Sequence, residues 1–177
     1  MKVKKTKLDG VLVITPETFE DERGFFLESF NKDRYRKAGI DFDFVQDNHS
    51  GSTKGVLRGL HYQRTKPQGK LVRVVKGKVF DVAVDIRQSS RTFGQWEAVI
   101  LSEKNKAQFW VPPGFAHGFL VLSETADFEY KCTDYYDSSD EGSLLWNDPD
   151  LCIDWPIKRP TLSNKDATAP LFADLKK

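Results

Sequence analysis

Apolar and polar residues alternate along this chain with period two far more clearly than with the period of a helix. Across residues 78–87, Phe80, Val82, Val84 and Ile86 share one face of an extended segment, while Val79, Asp81, Ala83 and Asp85 share the other. Such alternation, rich in Val and Phe, predicts a half-buried strand. Residues 70–75 predict a second strand, and Lys76-Gly77 between the two predicts a hairpin. Further strands are predicted over 25–30, 96–101, 107–111, 118–122 and 128–135. Turn signals separate them at Pro67-Gln68-Gly69, 102–105, Pro112-Pro113-Gly114 and 123–126. Many short strands at this spacing predict an all-β antiparallel sandwich or barrel.

Helix signals are few. Residues 31–38 predict a short helix, capped by Asn31 and stopped by Gly39. Ser163 or Asn164 can cap a turn running through Ala167, and residues 170–175 predict a terminal helix. The stretch 146–160, with Trp146, Trp155 and Pro160, is apolar enough to pack as a wrap over the core. No internal repeat, low-complexity segment or linker divides the chain, so residues 1–177 read as one domain.

Composition narrows the partners. Lys and Arg number 27 against 26 Asp and Glu, a net charge of +1 with a pI near 7.7. That balance lacks the basic excess of a nucleic-acid binder. Cys132 and Cys152 fit neither a disulfide framework nor a C-x-x-C pattern, which predicts a reduced, cytoplasmic setting. The early apolar run, Val11-Leu12-Val13-Ile14, is too short for a secretory core. The longest uncharged stretch, 107–123, falls short of the roughly 20 residues that span a bilayer, so a soluble protein is expected.

Pro112-Pro113-Gly114-Phe115-Ala116-His117 is similar to the second half of the cupin signature, whose His normally binds a metal. The first half would supply H-x-H and a Glu, but His61-Tyr62-Gln63 stands in its place. The spare His49 lies in a loop-like Ser/Gly/Thr-rich stretch. A metal site is therefore not expected, and His117 reads as a structural or substrate-contact residue. Arg58 lies three residues before His61, and a guanidinium beside an imidazole is costly unless an anion arrives. The two have opposite strand parity, so they face one pocket only if Gly59 makes a bulge. Alone, Lys70 reads as a solvated lysine after a turn, Tyr130 as a core aromatic, and Asp166 as a first-turn acid.

Taken in order, several segments resemble one family over nearly the whole chain. They are Glu22-Arg23-Gly24-Phe25-Phe26-Leu27-Glu28, Phe44-Val45-Gln46-Asp47-Asn48-His49-Ser50, Leu57-Arg58-Gly59-Leu60-His61-Tyr62-Gln63 and Gln68-Gly69-Lys70-Leu71-Val72. The set continues with 79–87, 111–119, 130–136, Leu145-Trp146-Asn147-Asp148-Pro149 and Leu162-Ser163-Asn164-Lys165-Asp166. The chain resembles the dTDP-4-dehydrorhamnose 3,5-epimerases, which are similar to metal-free cupins. The resemblance implies a cupin-type antiparallel β-sandwich, or jelly roll, with a few short helices. It implies a dTDP-linked 4-keto-6-deoxy sugar as substrate, no cofactor, and a homodimer that exchanges an N-terminal strand. It also implies that His61 abstracts a proton with Asp166 fixing its tautomer. Lys70 would stabilise the C4 oxyanion, and Tyr130 would return a proton from the opposite face. A phenol with a reference pKa near 10 is protonated at neutral pH and can quench an enolate. Arg23, Glu28, Gln46, Asp47, Asn48, Arg58, Lys70, His117, Glu141 and Lys165 fall on the family's substrate-binding positions, and Phe26 and Tyr136 are candidates to stack on thymine or sugar. Related readings are a 3-epimerase, a 3,4-ketoisomerase, a cupin that only binds sugar nucleotides, and a metal-dependent cupin oxygenase.

Overall fold

The period-two pattern resolves into two antiparallel sheets packed face to face, in a computed structural model that describes residues 1–176. The larger sheet orders β1 (Lys2–Lys5), β2 (Leu12–Thr15), β10 (Gln108–Val111), β7 (Lys70–Lys76), β12 (Thr125–Cys132) and β5 (Gln46–Thr53). The smaller orders β13 (Glu141–Ser143), β6 (Leu57–Gln63), β11 (Phe115–Val121), β8 (Lys78–Asp85) and β9 (Trp96–Ser102). A separate ribbon pairs β3 (Thr18–Asp21) with β4 (Gly24–Leu27). The result is a cupin-like β-sandwich with only short helices, the fold class expected from the sequence. No helix among the described residues is long and apolar enough to cross a membrane.

The core between the sheets is built from inward positions of both. Val72, Val74, Phe109 and Phe128 of the larger sheet meet Val79, Ala83, Phe119 and Val121 of the smaller. The rings of Phe119 and Phe128 stack 4.1 Å apart across the interface. Burying each Val or Phe among them contributes about 1.5–3 kcal/mol, set against an ordering cost of roughly 1–2 kcal/mol per residue.

β8 corrects the half-buried expectation, because both of its faces are covered. Val82 and Val84 pack under Leu151, Ile153 and Trp155 of the 146–160 wrap, while Val79 and Ala83 face the inter-sheet core. Asp81 and Asp85 are therefore fully buried rather than solvated. Asp85 is held near pKa 2: burial opposes its ionisation, but hydrogen bonds from Arg87, Ser90 and Thr92 outweigh that cost.

The expected hairpin at Lys76-Gly77 does not form. β7 lies in the larger sheet and β8 in the smaller, so the chain crosses between sheets there. Gly77 has φ +81°, and a Cβ on it would strike the Thr125 carbonyl oxygen and the Ser123 hydroxyl. Gly77→Ala should cost about 2–4 kcal/mol, read as a lower urea midpoint with an unchanged slope.

Other bounds shift in the same way. The strand expected at 25–30 ends at Leu27, the one expected at 128–135 is Thr125–Cys132, and the one expected at 118–122 begins at Phe115. The expected terminal helix is a 3-10 turn, Phe172–Lys176. The first short helix, α1 (Lys32–Lys37), forms as expected. The Asn31 side chain accepts from the Arg34 N–H, and Gly39 at φ +96° turns the chain away. The second, α2 (Asn164–Ala167), takes Ser163 as its cap, whose hydroxyl accepts from the Asp166 N–H at 3.1 Å.

Candidate active site

Toward one end of the sandwich the inward positions stop being apolar. β5 presents Gln46, Asn48, Ser50 and Ser52 on alternating, half-buried positions. β7 begins with Lys70, β12 contributes Tyr130, and β11 contributes His117. A cavity of about 480 Å³ opens among them, lined by Arg58, His61, Lys70, His117, Tyr130, Lys165 and Asp166. Phe119, Phe128 and Leu162 form its apolar wall.

Gly59 brings Arg58 and His61 to that cavity together. His117 of β11 pairs with His61, yet Phe119 pairs with Arg58, so three steps along β6 oppose two along β11. The extra residue sits where Gly59 adopts φ +123°, and a Cβ there would lie 2.6 Å from the Gly118 Cα. Only glycine fits that close approach. The bulge cancels the parity difference, as the sequence reading required.

His61 and Asp166 form a dyad, with Nε2 2.6 Å from Oδ1. The carboxylate is almost wholly buried and the imidazole about one-third exposed, so the ring's other nitrogen is left for a ligand. Burial opposes ionisation of Asp166, but the His61 hydrogen bond and charge, with the Ser163 hydroxyl, outweigh it and hold the carboxyl below its usual range. On the larger sheet, Lys70 is opposite Cys132 and Tyr130 is opposite Val72. Burial pulls the Lys70 ammonium down against the favourable fields of Cys132 and Glu141. Burial also pushes the Tyr130 phenol up to about 12, with Arg58 the opposing cation.

At the mouth, Glu141 pairs with Lys165 and accepts from the Tyr136 hydroxyl at 2.8 Å. The Tyr136 N–H donates to Gln46 Oε1 at 2.9 Å, and Gln46 in turn donates to Asn48 Oδ1 at 3.1 Å. Asp47 points to the other face of β5, as strand parity demands, and pairs with Lys131 at 2.9 Å. Arg23 and Glu28 do not line this cavity. Arg23 pairs with Asp21 on the exposed ribbon, and Glu28 pairs with Arg34. Phe26 is likewise exposed on the ribbon.

The cavity also holds groups that the sequence reading did not single out as site residues. Asp81 stands behind His117, with Oδ1 2.8 Å from Nε2. Its one signal in sequence is a carboxylate at a strand position whose neighbours are Val79 and Ala83. Ser50 lines the cavity with a buried hydroxyl that has no hydrogen-bond partner among the described residues. Among the described residues no group of three or more His, Cys, Asp or Glu is arranged to hold a metal ion.

Comparison with known proteins agrees with this architecture. The family model for dTDP-4-dehydrorhamnose 3,5-epimerase matches residues 5–174. The chain is 58% identical over 175 residues to the dTDP-4-dehydrorhamnose 3,5-epimerase of Salmonella typhimurium, covering 97% of this chain and 96% of that protein. It is 56% identical over 176 residues to the enzyme of the same name from Shigella flexneri, covering 98% and 97%. The crystal structure of dTDP-6-deoxy-D-glucose-3,5-epimerase from Legionella pneumophila, in complex with dTDP-4-keto-L-rhamnose, is 57% identical. It matches with a TM-score of 0.95, over 98% of this chain and 96% of that one. With sequence and fold matched from end to end, the chain belongs to the dTDP-4-dehydrorhamnose 3,5-epimerase family.

Proposed function

We propose that the protein inverts C3 and C5 of dTDP-4-dehydro-6-deoxy-D-glucose to give dTDP-4-dehydro-L-rhamnose. The observation that carries this reading is the His61–Asp166 dyad on one wall of the cavity with Lys70 and Tyr130 on the other. A ketone at C4 acidifies the protons on C3 and C5, so the chemistry needs a base, an oxyanion partner and an acid, with no redox step. His61 takes the proton on its free nitrogen while Asp166 bears the imidazolium that forms. The C–H electron pair moves into the ring to give an enolate, whose oxygen is held by the Lys70 ammonium. Tyr130 gives its phenolic proton to the carbon from the opposite side. The resulting phenolate lies in the field of Arg58, and both groups reset through solvent. Arg58, His117, Lys165, Glu141, Gln46 and Asn48 surround the nucleotide sugar, with the cations toward the diphosphate.

Lys70 gives this mechanism an alkaline limb. The charged amine is the active form, and burial makes it lose its proton below the ordinary lysine value of about 10.4. The kcat should therefore fall as pH rises, earlier than an exposed lysine would require, and Lys70→Arg should move that limb to higher pH. An alkaline limb unchanged by Lys70→Arg would remove Lys70 from the role.

The ribbon residues enter through a homodimer. The β3–β4 ribbon leaves Phe19, Phe25 and Phe26 exposed and carries Arg23 away from its own cavity. In a dimer that exchanges N-terminal segments, Arg23 of the partner subunit reaches the site. Arg23→Ala and His61→Ala, each inactive alone, should then regain part of the wild-type rate when unfolded and refolded together, because mixed dimers contain one intact site. No recovery in a verified mixed dimer would sink the shared site.

Incubation with the dTDP-4-keto-6-deoxy sugar in deuterated water, followed by NMR at C3 and C5, tests the whole reading. Exchange with inversion at both carbons is the expected result. Exchange at C3 alone would make the protein a 3-epimerase, and binding without exchange would make it a sugar-nucleotide binder.

A further inference from the structure

Two histidines face this cavity from directly opposed positions, and each has its own carboxylate. His61 of β6 pairs in register with His117 of β11; Asp166 holds the first and Asp81 the second. The second pair is much the drier. Asp81 is fully buried at an inward position of β8, and its Oδ2 has no hydrogen-bond partner among the described residues. The His117 ring packs against Phe128, with centroids 6.2 Å apart, and reaches the cavity by its remaining edge. Its Nε2 is taken by Asp81, and its Nδ1 has no hydrogen bond within the described residues.

We propose that Asp81 is a positioning residue that fixes His117 as a hydrogen-bond donor toward the cavity, for an anionic oxygen of the nucleotide sugar. The identity of that acceptor rests on the function proposed above. The donor state rests on counting protons. An ionised Asp81 beside a neutral ring would leave one net negative charge in a dry site, with one carboxylate oxygen unpartnered, which is costly. Adding one proton makes the pair neutral in either of two ways. In the first, an imidazolium donates from Nε2 to a carboxylate. In the second, a carboxylic acid donates to a bare Nε2. Both place a hydrogen on Nδ1. Burial pushes the Asp81 carboxyl up, with His117 the opposing influence, which favours the extra proton. The other ionisable groups lining the cavity are Arg58 and His61 from β6, Lys70 from β7, Tyr130 from β12, and Lys165 and Asp166 from α2. None of them hydrogen-bonds Asp81, so His117 alone settles its charge.

An acceptor and a donor at this position recognise different ligands. A bare Nδ1 would accept from a sugar hydroxyl, whereas a protonated one binds a diphosphate oxygen or the enolate oxygen.

The test begins with the unmutated protein labelled with 15N-histidine, its three rings assigned with the aid of His49→Gln, a change at an exposed side chain. At neutral pH the His117 Nδ1 should give the signal of a protonated ring nitrogen. A bare Nδ1 would overturn the proposal without any variant. In Asp81→Asn, whose amide can donate to Nε2 or accept from it, the Nδ1 proton should be partly lost. The kcat/KM should fall about 10- to 100-fold, the range for one hydrogen bond to a charged group. A loss of dTDP affinity would identify the acceptor as the diphosphate, and a loss in kcat alone as the C4 oxygen. Wild-type kcat and KM in a folded Asp81→Asn would refute the proposal. An unmutated protein with a protonated Nδ1 but no epimerase activity would instead refute the proposed function and leave the donor assignment standing.

Discussion

His61→Ala should abolish deuterium incorporation from solvent at both C3 and C5, a loss of roughly 10⁴-fold in exchange rate. The effect is large because the carboxylates and the second histidine nearest the cavity are already engaged. Asp166 is buried behind His61, Glu141 is neutralised by Lys165, and His117 is tied to Asp81. Binding of dTDP should be largely kept, since Arg58 and Lys165 are untouched. Asp166→Ala should approach the same loss by another route. It frees the ring to rotate, removes the charge that bears the imidazolium, and leaves the Gly59 N–H without its acceptor. Asp166→Asn should lose less than Asp166→Ala, because its amide oxygen can still fix the tautomer but carries no charge. The pH dependence has a defined sign. The folded Asp166 carboxyl lies below its unfolded value, so its stabilising bond to His61 is present above that unfolded value, about 3.9. It is lost only as pH falls through the lower folded value. Exchange at near wild-type rates in His61→Ala would mean that another group is the base.

The sandwich was legible because its core strands carry their pattern in apolar residues. Residues 78–86 alternate plainly enough for β8 to follow from period two, and the Val-rich run 70–75 marks β7, but the pairing of the two does not follow. A two-residue link reads as a hairpin unless one knows that Gly77 turns the chain into the other sheet, which depends on contacts with Ser123 and Thr125 far along the sequence. β5 escaped notice for the opposite reason. Its half-buried positions are Gln46, Asn48, Ser50 and Ser52, polar because Ser50 lines the cavity and the others bond Tyr136, one another or Arg58, so the alternation is invisible to a hydrophobicity scale. The site shows the same limit. His61, Lys70, Tyr130 and Asp166 come from four elements and share no spacing rule, and each had an ordinary reading by itself. What revealed them together was the ordered resemblance to a family. Asp81 belongs to that resemblance as a segment but not as a role, and only its burial behind His117 gives it one.

Tyr130→Phe should separate two steps that His61→Ala removes together. The variant keeps the base, its carboxylate and Lys70, so the enolate still forms and deuterium still enters from the His61 side. Net inversion should fall by about 10²- to 10⁴-fold, the usual worth of a placed general acid. The wall position of the phenol makes this clean. Tyr130 lies on β12 in the larger sheet, His61 on β6 in the smaller, and loss of one hydroxyl leaves the ring packed against Phe128 at a centroid distance of 5.9 Å. The phenol proposed as the acid is held above its reference value. Burial first, with help from Cys132, pushes the phenol to about 12, so Tyr130 is fully protonated wherever the enzyme works. A weaker acid still quenches an enolate, which is far more basic than a phenolate. The harder step is carrying the phenolate afterwards, and Arg58 is the cation whose field favours it. Arg58→Gln should therefore slow inversion more than it slows deuterium wash-in, a lesser form of the Tyr130→Phe signature. If Tyr130→Phe inverted both carbons at the wild-type rate, proton return would have to come from water, and Tyr130 would be part of the wall alone.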